Sequence, residues 1–123
     1  MQYLRFGRTN LKIPILSLGG MRFQKSWDQL DFSAISYEEQ NKLENILNLA
    51  SKYGLSHVET AKYYGTSEVQ LGMGFKNTNK IPNIIQTKIP PNSDPTIFEK
   101  DVITSIEKLK VKKIDLLAIH GIN

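Results

Sequence analysis

The sequence predicts an α/β fold in which four parallel strands alternate with helices behind a small N-terminal β-hairpin. Two observations carry this. Four short runs, Ile15–Gly20, His57–Thr60, Ile84–Lys88 and Ile114–Ile119, are nearly continuous in apolar or β-branched residues, the pattern of parallel strands buried on both faces. Between them the chain repeats a loop followed by a helical pattern, and such units cross over right-handed into either an open doubly wound sheet or a closed β/α barrel. A third observation tilts the choice towards the barrel. Gly19-Gly20-Met21-Arg22 lacks the spacing of GxGxxG, and no GxxxxGK[ST] occurs, so the phosphate-binding fingerprints of the open folds are missing. A closed barrel takes eight strands and typically ~250 residues; this chain offers four strands in 123 residues.

Taken in order, Gln2–Phe6 and Leu11–Ile13 flank the turn-like Gly7-Arg8-Thr9-Asn10 and read as a hairpin over 2–13 that caps one end of the β/α units at 15–120. The chain, 1–123, is read as one partial barrel domain. Residues Met21 to Ile35 carry few helix signals but include Phe23, Trp27, Leu30 and Phe32. A loop of ~15 residues is uncommon unless functional, so it is either a substrate-shaping loop or a packed cover. Ser36-Tyr-Glu-Glu39 has the form of a capping box, followed by Leu43, Ile46, Leu47 and Ala50 on one face and by Gly54 as the stop. A second, shorter helix starts at Ser67 with Glu68 in its first turn and fades at Gly72 and Gly74. The third has Asp94 as N-cap, Pro95 at its first position, and Phe98, Val102, Ile106 and Leu109 along one stripe.

Composition excludes several classes. Hydrophobic residues make up 40% and charged residues 23%, a globular mixture. The absence of cysteine rules out disulfides, thiolate zinc sites and cysteine-ligated clusters, and no metal site is predicted. No apolar stretch approaches the ~20 residues of a spanning helix, and the first residues lack a signal-peptide core, so no membrane association is expected and the cytoplasm is the default compartment. The net charge of +4 comes from 16 basic and 12 acidic residues that are mixed rather than clustered, so no nucleic-acid partner is expected. The dense run Lys108, Lys110, Lys112 and Lys113 reads as a helix C-terminus, where cations meet the negative end of the dipole.

Active sites of β/α barrels gather at the carboxyl ends of the strands. Here those ends carry Gly19-Gly20, Glu59-Thr60, Lys88 and His120, with Tyr64 in the turn after the second strand. A tyrosine is a poor acid at its ordinary pKa of ~10, so its use as a proton donor near neutrality calls for a neighbouring cation, which Lys88 could supply. Glu59 would hold that ammonium and His120 could hydrogen-bond a carbonyl. The set suits protonation of an oxygen while a cofactor delivers hydride, since no side chain can. His57, at the opposite end of its strand, reads as structural.

These stretches, YLRFGRTNLKIPILSLGGMRF, HVETAKYYGTSEVQLG, IIQTKIPP and IDLLAIHGIN, together resemble the N-terminal part of the aldo-keto reductases, β/α barrels that use NADPH. The resemblance implies the N-terminal half of a (β/α)8 TIM barrel and reduction of a small aldehyde or ketone. It implies a catalytic tetrad of Glu59, Tyr64, Lys88 and His120, with Tyr64 as general acid, Lys88 lowering its pKa, Glu59 pairing with Lys88 and His120 orienting the carbonyl. Gly20, Met21 and Glu59 would lie near the nicotinamide end of the cofactor. Glu59 stands where the usual motif has aspartate, as in a bacterial subset with His-x-Glu-Thr-Ala that often carries a ferredoxin-like region, absent here. Most of the NADPH site would belong to the second half of the barrel. The isolated chain is therefore expected to be inactive alone, or to be a non-catalytic half barrel that pairs through open sheet edges with itself or with a separate C-terminal half.

Overall fold

A computed structural model describes residues 1–121. It opens with an antiparallel hairpin of β1 (Tyr3–Arg5) and β2 (Lys12–Pro14), joined through a 3₁₀ turn at Gly7–Thr9. The hairpin is tied down where the Tyr3 hydroxyl donates to the Gly54 carbonyl at 2.7 Å. A parallel sheet follows in the order β3 (Leu18–Gly19), β4 (His57–Glu59), β5 (Ile84–Ile89), β6 (Leu116–Ile119), with α1 (Tyr37–Lys52), α2 (Ser67–Thr78) and α3 (Pro95–Leu109) on the connections. This is the arrangement of the N-terminal half of a (β/α)8 barrel.

Local chemistry sets the helix boundaries. Ser36 accepts from the Glu39 N–H while the Glu39 carboxylate accepts from the Ser36 N–H, the reciprocal capping box, and these bonds hold the Glu39 carboxyl down at about 2. Gly54 stops α1 in the left-handed region at φ +74. Asp94 caps α3 through the Thr96 N–H at 2.9 Å, and Lys110 closes it, with Lys108 in the last turn. The core lies between the outer face of the sheet and the helices: Val58 and Ile85 meet Leu43 and Leu47 of α1, Leu71 and Phe75 of α2, and Leu109 of α3.

The sequence expectations need three corrections. The first strand is confined to Leu18–Gly19, with Ile15 and Leu16 exposed before it, and the fourth begins at Leu116 rather than Ile114. Burial on both faces holds for much of β4 and β5 but fails for β3 and β6. Each of these has one neighbouring strand, and Leu117 and Ile119 are 45% and 46% exposed. The second helix does not fade at Gly72 and Gly74 but continues to Thr78. Both glycines are buried where the helix is pressed between its neighbours. A Cβ on Gly72 would collide with the Lys108 carbonyl at the end of α3, and one on Gly74 would stand 2.6 Å from Leu43 of α1. Glycine here permits close helix packing instead of ending the helix.

At the lower end of the sheet the Ser17 hydroxyl lies 2.7 Å from His57 Nδ1, and His57 Nε2 lies 3.1 Å from Gln86 Oε1. The amide oxygen can only accept, so Nε2 carries the proton and Nδ1 accepts from Ser17. Burial pushes the His57 imidazole below its ordinary pKa. The residue is structural, as its position at the start of its strand suggested.

Candidate active site

The upper rim is built by three consecutive strand ends. Glu59 is the last residue of β4, Lys88 the penultimate residue of β5, and His120 follows β6 directly. Parallel pairing puts Glu59 beside Gln86 and Lys88 beside Ala118, so the inward-facing positions of the three strands converge. The turn Ala61–Thr66 then carries Tyr64 back over this rim.

The four residues meet. Lys88 and Glu59 form an ion pair in which both side chains are largely buried, 18% and 26% exposed. The Lys88 ammonium also donates to the Thr60 carbonyl at 3.2 Å and stands 4.6 Å from the centre of the Tyr64 ring. The His120 ring meets the Tyr64 ring edge-on at 5.6 Å. Burial pulls the Lys88 ammonium below the ordinary lysine range, an effect that the adjacent carboxylate opposes. His120 is lowered by burial and then by the positive charge of Lys88, which favours the neutral imidazole. Among the described residues its buried Nδ1 has no hydrogen-bond partner.

Two neighbours, Tyr63 and Gln29, were not singled out by sequence reasoning as parts of the site, whereas Trp27 belongs to the segment read as a substrate-shaping loop or a packed cover. Tyr63 lies 5.9 Å from the His120 ring, but Lys88 stands over Tyr64, so the geometry separates two adjacent tyrosines that look alike in sequence. Trp27 meets Tyr64 edge-on at 6.5 Å. Gln29 contacts the Tyr64 turn through the Lys62 and Gly65 carbonyls. No local signal distinguishes Gln29 from other polar loop residues. The segment from Met21 to Ile35 thus packs against the Tyr64 turn through Trp27 and Gln29.

Gly20 is buried against the same rim: its N–H donates to the Glu59 carbonyl at 2.6 Å and its carbonyl accepts from Ser67 at 2.9 Å. A Cβ there would stand 2.9 Å from both partners, so close packing accounts for the glycine. Met21 begins a 3₁₀ turn, Met21–Phe23, beside it. A nicotinamide group fits the chemistry of this rim. Among the described residues, space is open within 4 Å of a Cβ built on Gly19, and the buried His120 Nδ1 has bonding capacity that no described group uses. A hollow of about 250 Å³ lies at the other end of the sheet, lined by Tyr3, Leu18, Leu47 and Val58 among others, and none of the four rim residues lines it.

The aldo/keto reductase family model matches residues 15–123. No curated protein sequence matches the chain. Among solved structures, the thermostable aldo-keto reductase Tm1743, in complex with the inhibitor epalrestat, is 27% identical. It superposes with a TM-score of 0.75 over 100% of this chain and 44% of its own. An aldo/keto reductase from Brucella melitensis is similar at 23% identity and a TM-score of 0.63, covering 97% of this chain and 40% of its own. A Bombyx mori aldo-keto reductase in complex with NADP shares the fold at 21% identity and a TM-score of 0.67, with 97% and 38% covered. The chain thus spans less than half the length of these structures.

Proposed function

The chain belongs to the aldo/keto reductase family, and from that membership we propose that it supplies the proton-donating half of an NADPH-dependent aldehyde or ketone reductase. The observation that carries the reading is the convergence of Glu59, Lys88, Tyr64 and His120 from consecutive strand ends. The NADP complex of the Bombyx mori relative supports the choice of nucleotide. When bound, the nicotinamide supplies hydride to the carbonyl carbon. Gly20 and Met21 would border that group.

The remaining chemistry belongs to the chain. Tyr64 transfers its phenolic proton to the carbonyl oxygen as negative charge develops there. Lys88, held by Glu59 and the Thr60 carbonyl, places a positive charge against the Tyr64 ring. His120, neutral because of burial and Lys88, donates a hydrogen bond to the carbonyl and fixes its orientation. Trp27 gives the small-molecule substrate an apolar wall. Cytoplasmic residence is part of this reading. Among the described residues no helix is long and apolar enough to cross a membrane.

The 44% coverage of the thermostable relative supports a division of labour in which the rest of the cofactor site lies outside this chain. The purified 123-residue chain is then expected to show no steady-state NADPH oxidation with aldehydes, and turnover by it would overturn that division. The chemical roles are tested by fusing the chain to the remaining barrel of the thermostable relative. Carbonyl reduction that falls about a hundredfold or more in Tyr64→Phe is expected; a folded fusion that turns over equally well with phenylalanine there would overturn Tyr64 as the acid.

A second reading, a non-catalytic half barrel pairing with itself or with a separate C-terminal half, is favoured by the outer edges of β3 and β6, which no described strand pairs. Sedimentation of the purified chain as a stable monomer would count against it.

A further inference from the structure

The turn that carries Tyr64 is closed by its own backbone bonds, from the Tyr64 N–H to the Ala61 carbonyl at 3.0 Å and from the Ser67 N–H to the Tyr64 carbonyl at 2.9 Å, and the Lys62 N–H donates to the Lys88 carbonyl at 3.0 Å. The segment after β3 holds it in addition at both ends. On one side, the Lys25 N–H donates to Thr66 Oγ1 at 2.8 Å. In the middle, the backbone of Ser26 and Trp27 lies against the Cα of Gly65. A Cβ there would collide with the Ser26 carbonyl, and φ is +51, so both the close approach and the backbone conformation select glycine. On the other side, Gln29 Nε2 donates to the Lys62 carbonyl at 2.7 Å and to the Gly65 carbonyl at 3.2 Å. Those two carbonyls bracket Tyr64 in the chain. The far end of the same amide, Oε1, accepts from Lys108 Nζ at 2.6 Å.

This orientation of the amide is fixed by its partners. Reversed, it would aim its oxygen at two carbonyl oxygens and its N–H₂ at an ammonium, leaving no hydrogen bond at either end. The side chain thus joins three elements, the loop after β3, the Tyr64 turn and the C-terminal turn of α3, through an amide donor and acceptor that only asparagine, one methylene shorter, also carries. Glutamate would keep the Lys108 contact and lose both donations. A methionine at Lys108 would remove the α3 anchor and leave the donations to the turn.

From this arrangement we infer that Gln29 is a positioning residue for Tyr64: it fixes the turn on either side of the tyrosine and so holds the phenol between Lys88 and His120. The inference rests on the reading of Tyr64 as proton donor. Gln29 itself touches no reacting atom; it acts through the backbone of the turn. Holding the donor in place matters because a displacement of about 1 Å at a reacting centre can cost ~10²-fold in rate.

The test needs no turnover. The chain is prepared with ring-¹³C tyrosine and the Tyr64 signal is assigned with Tyr64→Phe. In the native chain that signal is expected to be displaced by the Trp27 and His120 rings, which pack edge-on against it. In both Gln29→Ala and Gln29→Glu the displacement is expected to be mostly lost, while Lys108→Met retains it. Tyr3, remote from the turn and hydrogen-bonded to the Gly54 carbonyl, reports whether each variant keeps its fold, and either Gln29 variant suffices if the other does not. A Tyr64 signal unmoved in the Gln29 variants would overturn the inference. So would an equal loss in Lys108→Met, because Gln29 would then only anchor the loop to α3. In the fused enzyme the folded Gln29 variants are expected to lose about tenfold or more in kcat with little change in KM. A fusion without Tyr64-dependent turnover would overturn the proposed chemistry, and the tyrosine signals would still decide whether Gln29 holds the turn.

Discussion

Helices α2 and α3 are similar in length and lie side by side, but they are buried in opposite ways. In α2 seven residues are buried, among them Glu68, Gln70 and both glycines, so the helix is enclosed on nearly every side. In α3 only Ser105 and Leu109 are buried, although its apolar stripe is far more regular. Position in the half barrel explains the inversion. Helix α2 packs against both α1 and α3, whereas the far side of α3 has no helix against it among the described residues. A central helix must satisfy neighbours on two sides and loses the one-sided pattern; an edge helix keeps the pattern without filling it.

The largest test of this contrast is Leu71→Ala in α2, where the side chain is fully buried. It is expected to cost about 3–4 kcal/mol in denaturant unfolding. Phe98→Ala on the half-exposed stripe of α3 removes a larger side chain yet should cost less, about 2 kcal/mol. Equal losses would break the comparison and show α3 covered in solution. Next, Gly72→Ala should cost about 2–3 kcal/mol, because the new methyl group forces α2 away from the last turn of α3. An unchanged stability would mean that the two helices part freely.

A third test uses pH. Glu68 accepts from Thr87 Oγ1 at 2.7 Å and from Ser105 Oγ at 3.1 Å, joining α2 to β5 and α3. Burial pushes its carboxyl up from 4.5, while those hydroxyls and the charges of Lys108 and Lys62 pull down. The folded chain therefore keeps a proton that the unfolded chain releases. The associated stability is complete below the ordinary carboxyl range and is lost as pH rises through the raised value, by up to about 1.4 kcal/mol per pH unit. Glu68→Gln, which cannot titrate, should remove that downward component relative to the native chain. His57 and His120, lowered by burial, act with the opposite sign below about 6.5 in both proteins. Identical pH profiles would show that Glu68 is not desolvated. The smallest effect is expected for Ile103→Ser, at an apolar position of α3 that is 49% exposed, within about 0.5 kcal/mol. A larger loss would again reveal a covered edge.

Much of the site was legible because barrel topology turns sequence order into spatial neighbourhood. Once Glu59, Lys88 and His120 are placed at the ends of consecutive parallel strands, adjacency follows from the register. The cap at Ser36, the stop at Gly54 and the start of α3 at Asp94-Pro95 were legible for another reason: each depends on hydrogen bonds within a few residues. The reading failed where one element answers to a distant one. Gly72 and Gly74 looked like a helix end because their packing partners lie on other helices, and Gln29 was passed over because its three partners are dozens of residues away.

The sequence alone determined the order and type of the elements, their caps, and the four polar residues at the strand ends, since these follow from periodicity, short-range bonds and right-handed crossover. Only the tertiary structure decided that β3 and β6 are half-bare edges, that Lys88 chooses Tyr64 over Tyr63, and that the Tyr64 turn is clamped by Gln29. These depend on which surfaces meet in three dimensions, and burial, close backbone approach and long-range hydrogen bonding have no local signature along the chain.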